Sequence, residues 1–373
     1  MSVSYHLNQF PPQKLELIKL IPLMGDARAA LSYYDAILKE AIPNPQVLLS
    51  PLTAQEAVLS SRIEGTQATL DEVLRVEAGD EDVAISANKR DDVEEITNYR
   101  KALNNAASDL ERLPLSQRLL KDAHRTLLQG VRGRNKNPGQ YRKTQNYIGA
   151  LGCTQETARF VPIAPNLLND GMSSWEKFIH SEFDDPLIQL AVVHAEFEAL
   201  HPFQDGNGRL GRLLIPLFLF SKGLLASPSF YISSYLENNR EVYYDQLLNI
   251  SKTYDWTPWC AFFLKALTTQ AKENGQKASA ILRLYERTKL IVSEQTRSQY
   301  AIQALDFMFK MPVFKSTDFV NHTGIPDSSA RRILGQLREH PTLLSPVREA
   351  KGSQAAMFAF RELLNVAEGE VIL

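Results

Sequence analysis

Residues 186–200, PLIQLAVVHAEFEAL, are apolar around almost the whole circumference of a helix, and a helix of that kind belongs inside a folded core. The next residues are His201 and Pro202. Proline disfavours helical geometry in the residue before it, so the helix has to end at His201. A second apolar stretch, GRLGRLLIPLFLF, begins at Gly208. Two buried helices joined by one short polar loop therefore form the centre of any fold this chain adopts.

The loop and the start of the second helix read HPFQDGNGRLGR, residues 201–212. A histidine at a helix end, with an ordinary pKa of about 6.5, is suited to remove a proton from a weakly acidic alcohol. Gly206 and Gly208 let the backbone turn tightly and approach a ligand closely. The free N–H groups of a helix starting there make an anion site, and Arg209 and Arg212, three residues apart, can bracket a polyphosphate. Asp205 is placed to hold a magnesium ion bridging phosphates. Phe203 reads as packing that fixes the loop.

The rest of the chain reads as mainly α. Three-to-four apolar spacing predicts helices over 54–68, 89–112, 117–128, 163–181, 186–200 and 208–222. A hairpin fits residues 141–162, where KTQNYIG and ARFVPIAP flank the turn ALGC, and RGRNKNPG at 132–139 is a loop. A polar stretch with Asn-Gly at 270–280 predicts a boundary, and a helix over 279–295 leads into a C-terminal unit. There, residues 316–339 read helix, turn, helix, with Ser316 and Asp327 or Ser328 as caps, and two short strands follow around Lys351-Gly352. That order resembles a winged helix. The expected division is a helical region over 1–110, a catalytic core over 111–270, and a linker helix with the winged-helix-like unit over 271–373.

Composition excludes more than it assigns. The net charge is −2 over 373 residues, which gives no global reason to expect nucleic acid or an anionic membrane. Residues 312–362 hold seven Lys/Arg against five Asp/Glu, a weak basic excess that does not favour DNA binding by the C-terminal unit. Two cysteines make no disulfide framework, and the start MSVSYHLNQFPPQ lacks a signal pattern, so a cytoplasmic chain with no membrane segment is expected.

The pattern H-P-F-x-D-G-N-G-R-x-x-R resembles the signature of Fic-domain enzymes, with all nine specified residues present. The resemblance implies a Fic-type helical core with a β-hairpin flap, and transfer of AMP from ATP to a tyrosine, threonine or serine hydroxyl of a protein. His201 would deprotonate that hydroxyl, and Asp205 would bind Mg2+. Gly206, Asn207 and Gly208 would hold the α- and β-phosphates, with Arg209 and Arg212 on the β- and γ-phosphates. The flap would align a target segment by strand addition. The target could be the chain itself, and family precedent suggests a homodimer.

Upstream, Ser60-Ser-Arg-Ile-Glu64-Gly65 resembles the inhibitory motif of the same family. There the glutamate reaches the second loop arginine, here Arg212, and withholds it from the γ-phosphate. The same glutamate is associated in some members with removal of AMP, so a de-AMPylase, another nucleotide or phosphoryl transferase, and an ATP-sensing transcriptional regulator remain alternatives. Asn238, Tyr243 and Tyr244 are candidates for enclosing the adenosine, although adjacent tyrosines on a helix cannot both face one pocket. His194, Trp256, Trp259, Arg142 and Asn146 read as structural.

Overall fold

The computed structural model describes residues 2–41, 44–80, 86–130, 134–150, 152–352 and 354–369. Residues 132–133 of the expected loop and Leu151 of the expected flap turn lie outside this set. In chain order the helices are α1 (Leu17–Ala36), α2 (Pro45–Leu48), α3 (Ser50–Ile63), α4 (Leu70–Glu77), α5 (Ala87–Leu110), α6 (Gln117–Leu127), α7 (Leu168–His180), α8 (Pro186–Leu200) and α9 (Asn207–Ser221). They continue as α10 (Ser233–Asn238), α11 (Arg240–Thr253), α12 (Thr257–Thr296), α13 (Ala301–Lys310), α14 (Ser316–His322), α15 (Asp327–Glu339) and α16 (Arg361–Glu368). The strands are β1 (Val3–Ser4), β2 (Phe160–Val161), β3 (Val313–Lys315), β4 (Ser345–Arg348) and β5 (Met357–Ala359). None of the helices, among the described residues, is long and apolar enough to cross a membrane.

The chain folds into two compact units. One comprises Met1–Asp35, Leu59–Thr66 and Asn98–Lys272; the other comprises Ala36–Val58, Gln67–Thr97 and Glu273–Leu373. In the first, α8 is the buried axis that its composition requires, with Leu187 to Phe197 buried without a break. Each large apolar side chain removed from water there stabilises by about 1.5–3 kcal/mol. Pro186 occupies the first turn of α8, and the Asp185 carboxylate accepts from the N–H groups of Leu187 (2.7 Å) and Ile188 (3.2 Å), satisfying donors the helix leaves open. α7 and α9 pack on its flanks, and the indoles of Trp175 and Trp259 donate to the carbonyls of Val193 and Ala191, both at 2.8 Å.

The flap is narrower than the expected hairpin. Ile148 and Phe160 exchange both backbone hydrogen bonds, at 2.9 and 3.0 Å, and form the antiparallel pair. On its other edge β2 runs parallel to β1, an N-terminal strand that the sequence did not announce. The N-terminal segment is held by side chains as well: His6 contacts Ser251 at 2.7 Å and Glu196 at 2.8 Å, and the Tyr5 hydroxyl donates to Glu196 at 2.6 Å.

In the second unit, α13, β3, α14, α15, β4 and β5 follow one another, with β5 central between β3 and β4. α14, a short turn and α15 are thus followed by the antiparallel pair β4–β5. Ser316 and Asp327 are the first helical residues rather than caps: Lys315 and Pro326 hold the cap positions, and the Asp318 carboxylate accepts from the Lys315 N–H at 3.0 Å. The stretch 270–280, where a boundary is expected, is helical and holds the unit division at Lys272. α12 runs through Asn274-Gly275 without a break, because Gln270 and Asn274 are buried and the helix continues past the unit boundary at Lys272.

Candidate active site

α8 stops as Pro202 demands, and His201 takes a left-handed conformation (φ 48°, ψ 60°), unusual for a side chain larger than glycine. Four groups hold the loop in that shape. Arg142 is buried and donates to the carbonyls of His201 (2.8 Å), Thr144 (3.1 Å), Leu200 (3.3 Å) and Ile163. Asn146 donates to the carbonyl of Phe203 at 3.0 Å. The Asn207 side chain accepts from the Phe203 N–H (2.8 Å) and donates to its carbonyl (2.9 Å). His124 stacks on Phe203 with centroids 3.7 Å apart. Its Nδ1 accepts from the Gly139 N–H at 2.8 Å, which leaves Nε2–H to donate to the carbonyl of Asp205 at 3.0 Å.

Burial pulls the His124 imidazole down to about 4, so it stays neutral and keeps this tautomer at neutral pH. His124→Ala strips the loop of the stacking partner and leaves two polar backbone groups unpaired. The expected loss is about 2–4 kcal/mol, read from thermal or denaturant unfolding. An unchanged transition would remove His124 from the loop's support.

Gly206 caps α9 at φ 76°, a left-handed position that glycine fills without strain. Arg209 and Arg212 are both buried. Arg209 lies 3.6 Å from the Asp205 carboxylate, whose side chain keeps 46% of its surface open. Arg212 donates through Nε to the Ser60 hydroxyl (2.8 Å), and through Nη2 to the Ser60 carbonyl (2.9 Å) and Glu64 Oε1 (2.6 Å). A Cβ on Gly208 would overlap that same Glu64 oxygen. The Glu64 carboxylate therefore sits on the first turn of α9, where an anion would be held. Burial would raise its pKa, but Arg212, Arg209 and His201 together hold it below the usual carboxylate range.

A cavity of about 510 Å³ opens between the flap, α8, the start of α9 and α11. His201 lines it beside Glu64, Gly208 and Arg212. Its Nδ1 is buried, with no hydrogen-bond partner among the described residues, which leaves Nε2 as the nitrogen able to reach the cavity. Burial, reinforced by the Arg142 charge, pulls the His201 imidazole down to about 4 and keeps it neutral.

The structure brings His201, Gly208, Arg212 and Glu64 to one cavity, with Asp205, Gly206 and Arg209 on the adjoining turn. The side chain of Asn207 is spent on the loop, leaving only its backbone at the helix start. Of the three adenosine candidates, Tyr244 lines the cavity. Tyr243 is buried, its hydroxyl 3.0 Å from His194, because the two neighbours on α11 are turned about 100° from each other. Asn238 is exposed and outside the lining. Sequence reasoning missed His124 and Glu198. His124 left only a polar position on the buried face of α6; Glu198, like Glu196, left an ionisable residue on a mainly apolar helix, and that was a usable signal.

Two family models match this chain: the Fic/DOC family N-terminal model over residues 21–108 and the Fic/DOC family model over residues 114–219. A probable protein adenylyltransferase of Aquifex aeolicus is 28% identical over 178 residues, covering 48% of this chain and 51% of that protein. The protein adenylyltransferase fic-1 of Caenorhabditis elegans is 32% identical over 88 residues, covering 23% of this chain and 16% of that protein. The matched regions thus span about half or less of these relatives' own length. Among solved structures, a Fic family protein from Desulfovibrio desulfuricans aligns over 94% of this chain and 98% of its own with a TM-score of 0.56 at 18% identity. A Fic-1 fragment from C. elegans aligns over 72% of this chain and 74% of its own with a TM-score of 0.55 at 19% identity. The two family models together span more than half of the sequence: the chain belongs to the Fic/DOC family.

Proposed function

We propose that this chain transfers AMP from ATP to a hydroxyl of a protein side chain, and that Glu64 holds the site in check. The observation that carries this reading is the Glu64 carboxylate 2.6 Å from Arg212, lying over Gly208 at the start of α9. A carboxylate held there stands in for a phosphate oxygen, so the same N–H groups and guanidinium suit a nucleotide polyphosphate.

With ATP in the cavity, the backbone of Gly206 to Gly208 and the guanidinium groups of Arg209 and Arg212 hold the phosphates. His201 Nε2 removes the proton from the target hydroxyl. The hydroxyl oxygen bonds to the α-phosphorus while the bond to the bridging oxygen breaks, and pyrophosphate leaves. The protein's share is positioning and charge stabilisation. Asp205 offers one open carboxylate, a donor set that fits Mg2+ shared with phosphate oxygens rather than a closed protein cage. When bound with ATP, Mg2+ supplies neutralisation of the phosphate charge. Both edges of β2 carry partners, Ile148 and β1, so a target segment would pair along residues 145–150.

The protonation state of His201 gives a direct test. A base whose pKa is depressed to about 4 is active above that value and lost as pH falls through it. With Glu198, whose carboxyl burial raises to about 7, replaced by Gln, the kcat/KM for AMP transfer is expected to stay level across the neutral range and to drop only on strong acidification. A limb centred near an ordinary histidine value in that variant would contradict the buried, neutral His201.

A further inference from the structure

Ala195, Glu198 and Ala199 of α8 line the cavity together with His201 at the helix end, so that Ala195, Glu198 and His201 follow one another three residues apart. Each step along this face is about 4.5 Å. A nucleotide with its α-phosphate at His201 places its sugar one bonded linkage further on, opposite Glu198. The base then reaches Ala195, where Ile148, Phe160, Tyr244, Leu247 and Leu248 supply apolar walls.

Glu198 is unusual in its surroundings. Its Oε1 is fully buried, with no hydrogen-bond partner among the described residues, and it lies so close to α9 that a Cβ on Gly211 would overlap it. The residue belongs to the cavity lining, so a ligand that turns the carboxyl away from α9 can complete the oxygen left unsatisfied there. Burial, with the Glu64 charge adding and Arg212 opposing, raises this carboxyl to about 7. A carboxyl that is protonated for much of the time can stand near a triphosphate without repelling it, and can donate as well as accept.

Resting on the nucleotide reading above, we propose that Glu198 is the sugar-reading residue of this cavity, hydrogen-bonding the ribose hydroxyls and selecting ribonucleotides. Gly211 is the residue that leaves room for it.

The test measures binding of ATP and of 2′,3′-dideoxy-ATP, with magnesium, by calorimetry on the full chain carrying Glu64→Gly. The parent is expected to favour ATP about tenfold, the worth of one hydrogen bond with a buried partner. Glu198→Gln should keep most of that preference. Glu198→Leu should erase it while still binding the dideoxy nucleotide. Because the ratio is read within one preparation, a partly folded variant still reports it, and Glu198→Ala provides a second, smaller replacement. A preference that survives in both Glu198→Leu and Glu198→Ala, or that is absent from the parent, overturns the inference. Sugar preference without any AMP transfer overturns the transferase reading alone. AMP transfer with no sugar preference overturns this inference alone, and no nucleotide binding by any variant overturns both.

Discussion

His201→Ala is expected to lower AMP transfer by roughly 10²- to 10⁴-fold, the usual worth of a positioned general base, while ATP binding persists. The split follows from where the groups sit. In the proposed reading the phosphate contacts come from the backbone at Gly206–Gly208 and from Arg209 and Arg212, none of which depends on the imidazole. Nor does the loop hang on the His201 ring: Arg142 holds its backbone carbonyl, and Asn207, Asn146 and His124 hold the residues that follow. Removing the ring therefore removes the base and little else. The measurement is label transferred to protein from α-labelled ATP, paired with nucleotide affinity by calorimetry. Transfer at the parental rate would show that the proton leaves by another route. Loss of both transfer and binding would recast His201 as a structural residue of the loop.

Much of this site could be read from local rules. α8 and α9 were legible because a helix apolar on all sides has nowhere else to go. The end of α8 was legible because Pro202 constrains His201 directly. Residues chosen by nonlocal packing were not legible. His124 lies 81 positions from the Asp205 carbonyl it holds, and nothing in the sequence of α6 names that partner. β1 adds to β2 from the far end of the unit, a pairing without sequence signature because each strand is two residues long. Tyr243 and Tyr244 show the limit of a local rule used correctly: a turn of about 100° between neighbours meant that both could not face one pocket, but only the His194 partner decided which is packing. One unit boundary was hidden for a related reason. The division between Val58 and Leu59 falls inside α3, where no change of composition marks it, whereas that at Lys272 lies inside α12 within the polar stretch 270–280.

Glu64→Gly is expected to raise AMP transfer by roughly 10- to 100-fold, the range for losing a charge-assisted hydrogen bond that competes with substrate. Two effects act together. The Arg212 Nη2 is freed from a carboxylate oxygen at 2.6 Å, and the first turn of α9 is cleared at Gly208. A guanidinium buried to the extent of Arg212 then needs an anion, and the triphosphate is the one supplied. Ser60→Ala, which removes the hydroxyl that accepts from Arg212 Nε but leaves Glu64, should act in the same direction and more weakly. Adding His201→Ala to Glu64→Gly should cancel the gain, because the two residues serve different steps: one admits the nucleotide correctly, the other takes the proton. If Glu64→Gly binds ATP more tightly yet transfers no more label, the carboxylate blocks binding without governing the reaction. Unchanged affinity and unchanged transfer would mean that the Glu64–Arg212 pair holds the fold alone and that the brake does not exist.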